Sequence, residues 1–176
     1  MNKRNALQLI AKSALLAGAT GMLAACKPAA APKASFNAID LTGADYGKDF
    51  AMPDQNGQRR TVADFKGKVT LLFFGYTQCP DVCPTTLTDL AAVKQKLGAK
   101  GDQLQVIFVS VDPARDTPEI LKAYMANFDP SFLALRGSDD ELAAIAKEFK
   151  IYYKRVEGST PTSYTMDHTA GDYIFD

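Results

Sequence analysis

The chain is poor in the side chains that build metal and acid–base sites: it has one histidine, His168, and three cysteines, Cys26, Cys79 and Cys83. With a single histidine, a Cys₂His₂ zinc site is excluded. An excess of either charge is missing too, since 20 Lys plus Arg stand against 20 Asp plus Glu. A nucleic-acid partner would want a basic face, so none is expected. Apolar runs are short; the longest stretch of small apolar residues, 13–25, cannot span a bilayer as a mature helix. There is no internal repeat, and a hydrophobic content of 47% excludes a disordered or collagen-like chain. What remains is material for one globular domain in 176 residues.

Lys3, Arg4 and Lys12 ahead of the apolar stretch form a secretory signal pattern. It ends Leu23-Ala24-Ala25-Cys26, which resembles the lipobox of bacterial lipoproteins. Residues 1–25 are therefore expected to be a lipoprotein signal peptide and Cys26 the lipidated first residue of the mature chain, an ordinary signal peptide with a stray cysteine being the alternative. Cleavage leaves 17 basic against 20 acidic residues. Residues 26–35, rich in Pro, Ala and Lys, have nothing large to bury and read as a flexible tether. Residues 36–176 are the expected domain, held by its lipid at the periplasmic face of a bacterial membrane. If Cys26 carries lipid, Cys79 and Cys83 remain as a pair, in an oxidising compartment where a disulfide is open to them.

Asn56-Gly57 between two short β-prone segments predicts a hairpin over residues 50–62. Residues 69–74, five of six apolar and without alternation, predict a strand buried on both faces. A helix over 85–97 follows, then a strand around 106–109. Asp116 or Thr117 can cap the next helix, with Pro118 in its first turn and Ile120, Leu121, Tyr124, Met125 and Phe128 as its apolar face. A strand at 132–135, a helix over 139–149 and a strand over 151–156 come next. Residues 158–166 read as a polar loop delivering His168, and 173–175 begin a last strand. Strands alternating with helices imply an α/β sheet. The chain stops at Asp176 directly after that strand, so its C-terminal end reads as truncated.

Two thiols four positions apart, where a buried strand gives way to a helix, form a soft-metal or redox site. Backbone N–H groups at the helix N-terminus are expected to lower the pKa of both. Pro80 and Pro84 restrict the loop between them. Two thiolates with one imidazole suit Cu(I) and tolerate Cu(II), whereas zinc would seek a fourth ligand from Asp167, Asp112 or water. A structural disulfide of Cys79 with Cys83, and a surface or capping role for His168, are the plainer alternatives.

Three blocks carry a resemblance: residues 72–87, which read LFFGYTQCPDVCPTTL, residues 109–118, VSVDPARDTP, and residues 164–169, YTMDHT. In order and spacing they resemble the Sco/SenC proteins, thioredoxin-like copper proteins of cytochrome c oxidase assembly. The resemblance implies an α/β, thioredoxin-like fold: a central mixed sheet flanked by helices, with an N-terminal β-hairpin. It also implies one copper per chain on Cys79, Cys83 and His168, with Asp81 and Asp167 beside the ligands to orient them or tune the thiols. Asp112 and Arg115 read as loop-fixing. The implied function is a metallochaperone that holds Cu(I) or Cu(II) and delivers it to the CuA site of cytochrome c oxidase, and so not an enzyme in the strict sense. The alternative is a thiol-disulfide oxidoreductase using Cys79 and Cys83 on the oxidase subunit or another exported thiol protein. Many members carry histidine where this chain has Gln78, a position outside the three ligands.

Overall fold

The computed structural model describes residues 37–160 and 163–176. The expected signal peptide, lipid attachment at Cys26, tether and domain start at Phe36 lie outside them. The chain divides into two units, Met1–Thr42 and Gly43–Asp176. In the first, the described residues 37–42 hold one local turn, in which the Thr42 N–H donates to Asp40 Oδ1.

The second unit is α/β. Strands β1 (Ala51–Pro53) and β2 (Arg59–Thr61) pair antiparallel around the Asn-Gly turn, where Gly57 takes a φ of 80° that favours glycine. Asp54, buried at the turn, accepts from the Asn56 and Gln58 N–H groups and from Arg60 Nε. Backbone bonds from Gln55 N–H to the Ala134 carbonyl and from Arg136 N–H to the Pro53 carbonyl seat this hairpin on β5 (Leu133–Leu135).

The main sheet has the order β5-β4-β3-β8. β3 (Val69–Gly75), β4 (Leu104–Ser110) and β5 run parallel, while β8 (Asp172–Phe175) is antiparallel to β3, so the sheet is mixed. Side chains alternate along β3. Leu72 and Phe74 enter a core with Ile107, Val109 and the apolar face of helix α3 (Asp139–Glu148). Leu71 and Phe73 enter the other, with Val106, Phe108 and residues of helices α1 (Val82–Lys96) and α2 (Pro118–Ala126). A strand covered on both faces needs no polar alternation, which is why 69–74 reads as an unbroken apolar run. Each large side chain taken fully out of water contributes about 1.5–3 kcal/mol.

The helices begin at side-chain caps where the sequence supplies them. Thr117 Oγ1 accepts from the Ile120 N–H with Pro118 in the first turn, and Ser138 with Glu141 forms a capping box on α3. Thr117, not Asp116, caps α2. Asp116 is fully buried and turns toward the cysteine loop instead. On α2 only Leu121 and Met125 are buried; Ile120, expected on the apolar face, is 45% exposed because the helix has just nine residues and meets the sheet along one narrow stripe. Helix α1 starts three residues before its expected first residue, which draws Cys83 into its first turn.

The region expected to be a polar loop before His168 ends in a strand. β6 (Tyr153–Glu157) and β7 (Tyr164–His168) form their own two-stranded antiparallel sheet, with Tyr153 opposite His168. Its alternation is hidden in sequence because Met166 is the one β7 residue that is buried. Among the described residues no helix is long and apolar enough to cross a membrane.

Candidate metal centre

Three segments converge at the C-terminal end of β3. Residues 76–81 leave the strand in a tight turn, closed by a bond from the Cys79 N–H to the Tyr76 carbonyl at 3.1 Å. Cys79 is half-buried in that turn, Cys83 is 1% exposed on the first turn of α1, and His168 stands at the end of β7. Both cysteines are free thiols. The two sulfurs and one imidazole nitrogen all lie within 4.8 Å of one another, a spacing one metal ion can bridge.

The histidine is oriented by its own neighbour. Its Nδ1 lies 3.0 Å from the Thr169 carbonyl, and a carbonyl only accepts, so Nδ1 carries the proton. Nε2, which holds the lone pair in the neutral ring, faces Cys83 Sγ at 3.8 Å. That is how metal-bound histidines are commonly prepared: the second nitrogen donates to a fixed oxygen and sets the tautomer. Tyr76 stands edge-on to the imidazole, ring centroids 5.9 Å apart and planes at 89°. Burial raises the Tyr76 phenol, while a backbone hydrogen bond with Met166 lowers it.

Burial also decides the state of Cys83. Its thiol is pushed up to about 12, because desolvation outweighs a backbone hydrogen bond with Tyr76 and the neighbouring Cys79 raises it further. The expectation that the helix N-terminus lowers both thiols is therefore reversed for Cys83. The buried sulfur is a proton-bearing thiol at neutral pH until a metal displaces that proton.

Gly75 closes the site from below. A Cβ there would lie 2.6 Å from Cys83 Sγ and 2.6 Å from Phe108 Cε2. The absence of a side chain lets the sulfur sit against the end of the central strand. Asp116, reaching from the α2 side, accepts from Thr77 Oγ1 at 2.6 Å, the Thr77 N–H at 3.2 Å and Ser110 Oγ at 2.6 Å. Burial raises its pKa and these donors pull it back.

Asp81 and Asp167 are both exposed beside the ligands, and Asp81 makes no side-chain cap to α1. Asp112, a possible fourth zinc ligand by sequence, is engaged elsewhere: it accepts from Tyr164 OH at 2.8 Å and from Arg115 Nε, outside the ligand cluster. By sequence Asp116 stands out only as a possible helix cap, and Tyr76 and Thr169 only as members of the blocks that carry the resemblance.

The sequence profile of SCO1/SenC matches residues 40–176. The chain is 33% identical over 175 residues to the SCO2-like protein of Rickettsia felis, covering 98% of this chain and 85% of that one. Its fold is similar to the structure of Bradyrhizobium japonicum ScoI with copper bound, at 45% identity and a TM-score of 0.70 over 74% of this chain and 83% of that one. It is also similar to a SCO1/SenC family lipoprotein from Bacillus anthracis, at 26% identity and a TM-score of 0.62 over 73% and 77%.

Proposed function

The chain belongs to the SCO1/SenC family, and from that premise we propose that it is a copper carrier, holding one copper ion through Cys79, Cys83 and His168 and delivering it to the CuA site of cytochrome c oxidase. The observation that carries the reading is the convergence of two free thiols and one pre-oriented imidazole within 4.8 Å. A copper-bound relative of the same fold supports the choice of metal. So does the donor set, since two thiolates and an imidazole are soft enough for Cu(I) and still accept Cu(II).

The arrangement suits transfer. Three ligands leave coordination positions open, so an incoming sulfur or nitrogen can bind before a resident ligand leaves. Cys79 is the reachable sulfur and Cys83 the buried one, so exchange begins at Cys79. Copper arrives as its proton leaves Cys83, and the proton returns as copper departs. Asp81 and Asp167 lie where an approaching partner would meet them first, and we assign them to partner contact and ligand orientation. In this account the chain is lipid-anchored through Cys26 at the periplasmic face, with residues 26–35 as tether and the domain following.

Mixing the copper-loaded protein with a metal-free copper-site subunit of the oxidase tests delivery. Copper is expected to leave this protein as the CuA absorption grows in the subunit. Retention of copper by the donor, with the subunit unchanged, would contradict delivery. The alternative, thiol-disulfide exchange by Cys79 and Cys83, is favoured by their both being free thiols on a thioredoxin-like scaffold. It makes a separate prediction: His168→Ala loses copper affinity and keeps its rate of reducing the disulfide of an exported partner, the Cys79/Cys83 dithiol becoming a disulfide as the partner's becomes a dithiol.

A further inference from the structure

The metal ligands stand on two separate pieces of structure. Cys79 and Cys83 belong to the end of the main sheet, whereas His168 is the last residue of β7, in a two-stranded sheet that shares no ladder with it. Something other than strand pairing must fix the distance between them. We propose that Arg115 is the positioning residue that does so, clamping the β6–β7 hairpin, and with it His168, against the cysteine loop. This inference rests on the copper-site reading above.

The guanidinium reaches all the parts that must be joined. Nη1 donates to Gln78 Oε1, next to Cys79, at 3.0 Å, and to the Tyr164 carbonyl, four residues before His168 on β7, at 2.9 Å. Nε donates to Asp112 Oδ2, and the other oxygen of Asp112 accepts from Tyr164 OH at 2.8 Å. The guanidinium also lies over the Tyr164 ring at 3.5 Å and faces the Tyr76 ring at 5.7 Å, the ring that meets His168 edge-on. Arg155 of β6 stacks on Tyr164 at 3.8 Å. Arg115, Asp112 and Tyr164 thus form a closed loop of contacts between the turn after β4 and the hairpin. A planar fork with fixed donors can hold this geometry; an ammonium on a flexible stem cannot.

Arg115 Nη2 is buried without a hydrogen-bond partner among the described residues, on a guanidinium that lies against the Tyr164 and Tyr76 rings.

The test uses Arg115→Gln in the full chain, with two readouts. In the metal-free protein, amide hydrogen exchange should accelerate roughly tenfold or more in β6 and β7 and remain unchanged in β3 and β4. In copper competition titrations, affinity should fall roughly 10–100-fold, and Arg115→Gln should cost nothing further when added to His168→Ala, because both changes remove the same ligand. Unchanged exchange, uniform acceleration in every strand, or additive losses of affinity would overturn the proposal. Should Arg115→Gln fail to fold, Arg115→Lys and Tyr164→Leu are read by the same criteria. A parent protein that binds no copper would sink the copper reading, while the exchange experiment would still decide the clamp.

Discussion

A methyl group at position 75 has nowhere to go. Gly75→Ala sets a carbon 2.6 Å from both Cys83 Sγ and Phe108 Cε2, so sulfur or ring must move. Overpacking of this kind costs about 1–3 kcal/mol. The variant is expected to unfold at lower urea and to bind copper more weakly, because the displaced sulfur is one of the three proposed ligands. Asp116 is the second residue whose size and charge matter. Asp116→Ala strands three donors, from Thr77 and Ser110, and should cost about 3 kcal/mol or more, at roughly 1–3 for each unsatisfied group. Asp116→Asn keeps one acceptor and should cost less. Its pH dependence has a definite sign. The folded-state pKa is raised, so the folded protein holds this proton more tightly than the unfolded chain. Stability from this group is present at acid pH and falls as pH rises through the folded-state value. The stability gap between parent and Asp116→Asn should therefore narrow from acid to neutral pH, as measured by denaturant midpoints across that range.

At the scale of elements, local signals and tertiary packing separate cleanly. The Asn-Gly hairpin and the apolar run of β3 were legible because each is decided within a few residues. Ser138→Ala should lower stability by about 1 kcal/mol and leave copper affinity intact, since α3 packs on the sheet face opposite Cys83. Denaturant unfolding and copper titration of the same preparation check both halves. The β7 strand was not legible. Polar residues surround Met166 on either side, and only its pairing with β6 and its contact with the core make 164–168 extended. The start of α1 was missed for a related reason: Val82 and Cys83 follow Pro80 and precede Pro84, a pattern that reads as loop until Cys83 is seen to bury its sulfur.

For the molecule as a whole, the three ligand types and their order along the chain stood out in the sequence, because one histidine and two clustered thiols leave few combinations. The state of those ligands did not stand out. Helix-end electrostatics argued for acidic thiols, yet burial under the sheet end dominates at Cys83 and pushes it up to about 12. Copper uptake then competes with a proton across the whole accessible pH range. Apparent copper affinity should rise about tenfold per pH unit for that one displaced proton between pH 6 and 8, and more steeply if a second proton leaves with it. Competition titrations at several pH values read the slope directly; a flat profile would mean that Cys83 is already a thiolate.

The most direct test of the central claim is titration of the reduced protein with copper, read by absorption and X-ray absorption spectroscopy, in the parent and in Cys79→Ala, Cys83→Ala and His168→Ala. One copper per chain is expected, with two sulfur neighbours and one nitrogen neighbour. Sulfur-to-Cu(II) charge-transfer bands should vanish when either cysteine is lost, and the nitrogen neighbour should be lost in His168→Ala. Absence of uptake at one equivalent, or a His168→Ala variant that binds as tightly as the parent with an unchanged spectrum, would contradict the claim.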